Sequence, residues 1–187
     1  DAADGDSLGV AVAVTADGRR AIVGVYPDDT AAGENAGSAR IFLRTGTSWA
    51  QEAVLVAPDG AANDFFGISV AISADGSRAV IGASYDDTVP ANDAGSARVF
   101  RRSGTAWSQE ATLLMAGGAV SDYFGSSVSL SDDGSVALIG AHFDDTSAGV
   151  DAGSVGVFTR TGTSWAQSTT LTPTGGAAGD LFGISVA

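Results

Sequence analysis

The chain has 187 residues and a formal net charge of −13, with no cysteine and with Arg as its only strongly basic residue. That balance excludes a nucleic-acid partner, which needs a basic footprint, and disfavours an anionic membrane surface. The missing cysteines exclude disulfides, zinc-thiolate sites and a cysteine nucleophile. No apolar run approaches the ~20 residues of a membrane-spanning helix, so membrane insertion is not expected.

Repetition organises the sequence. A Phe-Gly or Leu-Gly step falls at Gly9, Gly67, Gly125 and Gly183, a constant 58 residues apart. The same interval links Trp49, Trp107 and Trp165, the turns at Gly18, Gly76 and Gly134, and the pairs Asp28-Asp29, Asp86-Asp87 and Asp144-Asp145. A period of this length points to stacked structural units rather than one closed core. Residues 1–63 read as one blade-like repeat with its preceding loop, 64–121 as a second and 122–179 as a third. Residues 180–187 read as the first strand of a further repeat. The chain opens at Asp1 inside a repeat, as a processed or excised piece would.

Taken in order, each unit contains four segments of strand character. In the second unit these are Phe66–Ser73, Arg78–Ser84, Ser96–Arg102 and Trp107–Met115, each rich in β-branched or aromatic residues and bounded by Gly, Asp, Asn or Pro. The first two are apolar or small on both faces, as buried strands are. The third and fourth alternate, with Ala97, Val99 and Arg101 opposed to Arg98, Phe100 and Arg102. Ser73–Gly76 is a tight hairpin signal, and Ser103–Thr105 is another short connection. Long loops join strands two and three (Tyr85–Gly95) and lead from strand four to the next unit (Ala116–Asp122). Four antiparallel strands per unit, in tandem, predict an all-β chain of three β-propeller blades plus the first strand of a fourth. In such a meander both long, acidic loops leave from one face, and most arginines lie toward the other. Long loops on a rigid scaffold are where binding is expected.

These residues resemble a known family. Asp64, Phe66-Gly67, Ser69-Val70-Ala71, Asp75-Gly76, Gly82-Ala83, Gly95-Ser96 and Val99-Phe100 form a pattern similar to the FG-GAP repeat, found in the integrin α-subunit propeller and in bacterial surface proteins. The third unit repeats it from Asp122 to Phe158, and the first is looser. The resemblance implies a propeller, an extracellular or cell-surface setting, and in many members a Ca²⁺ loop between the first two strands. Here that place holds only Asp17-Gly18, Asp75-Gly76 and Asp133-Gly134 in tight turns. Ca²⁺ takes about six to eight oxygens, which so short a turn does not supply. These aspartates read as turn residues.

The Asp-Asp-Thr triplets in the long loops carry two readings. Asp28, Asp29, Asp86, Asp87, Asp144 and Asp145, with Asp93 and Asp151 later in their loops, could supply a weak Ca²⁺ site. Alternatively, the aspartates cap backbone N–H groups and shape the loop. The Phe-Gly steps read as packing between blades, and the tryptophans as seals of the blade edge. His142 stands alone, without a recognisable nucleophile motif. A catalytic carboxylate pair would break the repeat, whereas these aspartates obey it, so no enzyme activity is expected. The functional expectation is a non-enzymatic binding or adhesion module facing a protein or glycan. The alternative is a structural subunit of a surface layer or filament built from copies of itself, since three blades cannot close a ring.

Overall fold

The computed structural model describes residues 7–88 and 91–187. Residues 1–6 of the first repeat and residues 89–90 of the second long loop lie outside it. Twelve strands and no helix occur among the described residues. They form three four-stranded antiparallel sheets, each a simple meander. The first contains β1 (Val12–Val14), β2 (Arg20–Val25), β3 (Ser38–Thr45) and β4 (Ser48–Leu55). The second contains β5 (Ser69–Ile72), β6 (Arg78–Ala83), β7 (Ser96–Ser103) and β8 (Ala106–Leu113). The third contains β9 (Ser127–Leu130), β10 (Val136–Ala141), β11 (Ser154–Thr161) and β12 (Ser164–Leu171).

The core lies between the sheets. Ile22, Ile41 and Leu55 of the first sheet pack on Phe66, Ile72, Ile81 and Phe100 of the second. Val80, Val99 and Leu113 face the other way, onto Phe124, Val128, Ile139 and Phe158. Strand periodicity explains the division, because alternate residues of β6 point to opposite neighbours. The middle sheet is thus buried on both faces, and after their first residues, Ser69 and Arg78, β5 and β6 hold only apolar residues and glycine for that reason.

Simple alternation fails in the outer pair of each sheet. In β7 and β8 the register slips between Val99 and Phe100, so that Glu110 is an extra residue. This β-bulge reverses which face β8 presents. Trp107 packs on the core shared with the first sheet, whereas Ala111 and Leu113 pack on the core shared with the third.

Each tight hairpin is held by its aspartate. Asp75 Oδ1 accepts from Ser73 Oγ and Ser77 N–H, both at 2.8 Å. Asp17 accepts from Thr15 at 2.6 Å, and Asp133 from Ser131 and Ser135 at 2.7 Å. Those bonds to Ser131 and Ser135 bring the Asp133 carboxyl down to about 2. Asp17, Asp75 and Asp133 are turn residues.

The Phe-Gly step is not part of a strand, although the sequence pattern extends one back to Phe66. Ile68 N–H closes a turn onto the Phe65 carbonyl at 3.1 Å, and β5 begins only at Ser69. Phe66 instead forms a parallel bridge with Gly37 of the preceding sheet. The glycines set how closely sheets approach. Gly125 has φ +95°, and a Cβ there would fall on the Ser96 carbonyl oxygen. A Cβ on Gly82 would in turn strike the Gly125 carbonyl. The two glycines therefore interlock adjacent sheets through bare backbone.

Candidate binding face

Both long loops of a sheet leave from the same end, and adjacent sheets join them by backbone hydrogen bonds. Asn63 N–H donates to the Glu34 carbonyl at 2.9 Å, Phe65 N–H to Asn35 at 3.2 Å, and Phe66 N–H to Ala36 at 3.0 Å. The next junction repeats this with Ser121 to Asn92, Tyr123 to Asp93 and Phe124 to Ala94. One connected ribbon of loops results.

Within that ribbon the paired aspartates diverge. The first of each pair turns inward. Asp86 accepts from Ser96 Oγ at 2.5 Å and from the buried Arg98 at 2.8 Å. Asp28 does the same with Ser38 and with Arg40 at 3.2 Å, and Asp144 with Ser154. The second aspartate closes its own loop. Asp29 accepts the Asn35 N–H at 2.8 Å, Asp87 the Asp93 N–H and Asp145 the Asp151 N–H, both at 2.9 Å. Asn35, Asp93 and Asp151 all have φ near +50°, and the second aspartate anchors that reversal. Among the described residues no group of three or more His, Asp or Glu side chains is placed to hold a metal. The bonds these aspartates make are those of loop closure.

A third aspartate, from the Asp-x-Phe-Gly pattern, caps the other loop. Asp64 Oδ2 accepts the Ala61 N–H at 2.6 Å, and Asp122 repeats this with Ala119. Burial pushes Asp64 up to about 6, reinforced by the nearby Asp86 and Asp87 charges. Asp122 is raised for the same first reason.

The feature that sequence reading missed is aromatic. Tyr26 meets Phe65 edge-on at 5.3 Å, and Phe65 meets Tyr85 at 4.9 Å. Tyr85 lies 4.7 Å from Tyr123, which contacts Phe143 at 5.5 Å and stacks on His142 at 6.3 Å. The row crosses all three sheets at their loop end, and its rings are half-buried, Tyr85 being 37% exposed. Phe65 and Tyr123 hold φ of 55° and 54°, unusual for aromatic residues. That conformation turns each outward while Phe66 and Phe124, immediately following, are fully buried. The repeat hides the row. Tyr26 aligns with Ser84 and His142, whereas Tyr85 aligns with Pro27 and Phe143, so no single position is aromatic in every unit. Counting aromatics at either of two adjacent positions would have found it.

Trp107, Trp165, Phe66 and Phe124 are structural. Trp107 and Trp165 pack against the two cores, and Trp165 Nε1 donates to Glu110 at 3.3 Å. Trp107 stands beside Glu52, but its buried Nε1 falls outside hydrogen-bonding geometry. Trp49 is 46% exposed.

Three stacked four-stranded meanders joined in this way are blades of the β-propeller type. A family model described as FG-GAP repeat matches residues 49–100 and 107–158, more than half of the sequence, and the chain belongs to that family. Each matched stretch runs from the fourth strand of one sheet to the third strand of the next, and so includes one interlocked junction. No curated protein matches the chain. No helix among the described residues is long and apolar enough to cross a membrane.

Proposed function

We propose that the chain is a non-enzymatic, extracellular binding or adhesion module that presents its acidic loop face to a protein or glycan partner. The aromatic row from Tyr26 to Phe143 carries this reading. Half-exposed rings provide flat apolar contact area at little entropic cost, and they suit both sugar rings and side chains. The loops around them bring Asp29, Asp87, Asp93, Asp145 and Asp151, which favour partners carrying positive charge. The test is binding of the purified chain to a glycan array and to peptides of defined charge. Tyr85→Ala with Tyr123→Ala should abolish the strongest signals, and Arg101→Ala at the other end of the sheets should leave them intact. Equal binding by both variants would count against the aromatic row.

A second reading, a structural subunit of a surface layer or filament, rests on a different observation. Val12 and Val14 of the first sheet are 67% and 59% exposed, whereas their equivalents Val70 and Ile72 are both 8% exposed beneath a neighbouring sheet. A further blade would cover them. Concentration-dependent light scattering separates the two readings: growth into long species favours the subunit, and a constant mass favours the binding module.

A further inference from the structure

Ser126 and His142 depart from the repeat together. The equivalent positions are Ile68 and Ser84 in the second unit and Val10 and Tyr26 in the first, so the fold requires neither Ser nor His. In the third unit Ser126 Oγ lies 2.8 Å from His142 Nδ1, and both residues are half-buried. Ser126 sits one residue past Gly125, in a turn closed by its N–H to the Tyr123 carbonyl at 3.1 Å. His142 follows β10 directly and is flanked by Phe143 at 4.3 Å and Tyr123 at 6.3 Å. Burial lowers the His142 pKa, opposed by the Asp151 charge later in the same loop. In the tautomer protonated at Nε2, Nδ1 is the acceptor that faces Ser126 Oγ. A nucleophile within hydrogen-bond reach of such a base is the arrangement that activates a serine.

We propose that Ser126 is an activated nucleophile with His142 as its general base, taking one acyl group per chain, without turnover, from a reactive ester whose apolar portion lies against Tyr123 and Phe143. As Ser126 Oγ attacks the carbonyl carbon, its proton passes to His142 Nδ1. Collapse of the tetrahedral adduct breaks the bond to the leaving oxygen, which takes the proton back from the imidazolium. The products are an acyl ester on Ser126 and a free alcohol or phenol.

The test is incubation of the full chain with p-nitrophenyl acetate, following phenolate release and locating the acetyl group by peptide mass spectrometry. The absence of lysine keeps background acylation low. The expected result is one acetyl group per chain on Ser126, with a rate that levels off at lower pH than an ordinary histidine would give. Ser126→Ala should abolish the reaction. His142→Tyr should slow it by about a hundredfold or more, the usual scale of general-base assistance. This second variant restores the residue of the first unit, Tyr26, so the fold tolerates it. Acetyl groups scattered over exposed hydroxyls would overturn the proposal, as would an undiminished rate in either variant.

Discussion

At the junction between the first and second sheets, Arg98 is buried and reaches across to Asp59 at 3.0 Å while binding Asp86 in its own sheet. At the next junction the equivalent residue is Gly156, the equivalent of Asp59 is Gly117, and Ala57 has become Met115. A Cβ on Gly156 would lie 3.3 Å from Met115 Sδ, so the methionine occupies space that the arginine takes at the first junction. A second set changes in the same concerted way. Arg20 pairs with Glu52 at 2.9 Å and Arg78 with Glu110 at 2.8 Å, while the third unit has Val136 and Ser168. What the junctions share is backbone meeting backbone through glycine. The side chains filling the space around it exchange in groups, because a buried charge left without its partner costs several kcal/mol.

The shared part should be the most sensitive. Gly125→Ala places a Cβ on the Ser96 carbonyl at an unfavourable φ, and should cost more than ~4 kcal/mol or abolish cooperative unfolding. Gly104→Ala also sits at positive φ, but with nothing within 4 Å, and should cost only ~1 kcal/mol. Thermal melts followed by circular dichroism compare them, and equal losses would show that close approach is not what Gly125 provides.

The exchangeable part is tested by converting one junction into the other. Arg98→Gly alone strands Asp86 and should cost about 3–5 kcal/mol in urea unfolding. Adding Asp59→Gly and Ala57→Met recreates the second junction and should return stability to within ~1 kcal/mol of the starting chain. A triple variant no better than the single one would mean that the fillings are not interchangeable.

Burial of an aspartate gives the first junction a pH response. Asp64 titrates at about 6 rather than 3.8, chiefly because it is buried and also because Asp86 and Asp87 lie near. A carboxyl whose pKa rises on folding binds more protons folded than unfolded, so its contribution to stability is lost as pH rises from about 4 through 6. Asp64→Asn keeps an oxygen for the Ala61 N–H, and should raise stability at pH 7.5 by about 1 kcal/mol and have little effect at pH 4. A gain of equal size at both pH values would remove titration as the cause.

The architecture was legible because a strict 58-residue period repeats the turns and most of the glycines, leaving strand order and loop lengths unambiguous. The bulge at Glu110 was not legible. It reverses the face of β8 without any local Gly or Pro, and its reason lies in the two different neighbours that strand must satisfy. The loop aspartates were legible as a choice between capping and a cation, and hydrogen bonding to Asn35, Asp93 and Asp151 favours capping. The aromatic row escaped because its members come from three different repeat positions, none of them aromatic in every unit. The Ser126–His142 contact escaped because 16 residues and a hairpin separate the pair.

The smallest difference between the junctions is a single N–H group. Ala116 N–H donates to Gln167 Oε1 at 2.8 Å across the second junction. At the first, the equivalent residues are Pro58 and Gln109, and proline has no N–H, so Gln109 Oε1 is buried without a partner. Pro58→Ala restores the donor, worth about 0.5–1.5 kcal/mol, and loses about 0.4–1 kcal/mol by freeing the unfolded chain. The acceptor is orphaned as well as unbonded, so the balance favours a net gain of ~0.5 kcal/mol, about 1–2 °C in Tm for a chain of this size. In a Gln109→Ala background the donor has nothing to meet, and the same substitution should become destabilising by a similar amount. The reverse exchange, Ala116→Pro, uses a backbone that already accepts proline at the first junction and should cost about 1 kcal/mol by orphaning Gln167 Oε1. A gain from Pro58→Ala that survives the loss of Gln109 would place the effect in chain flexibility instead of in the junction.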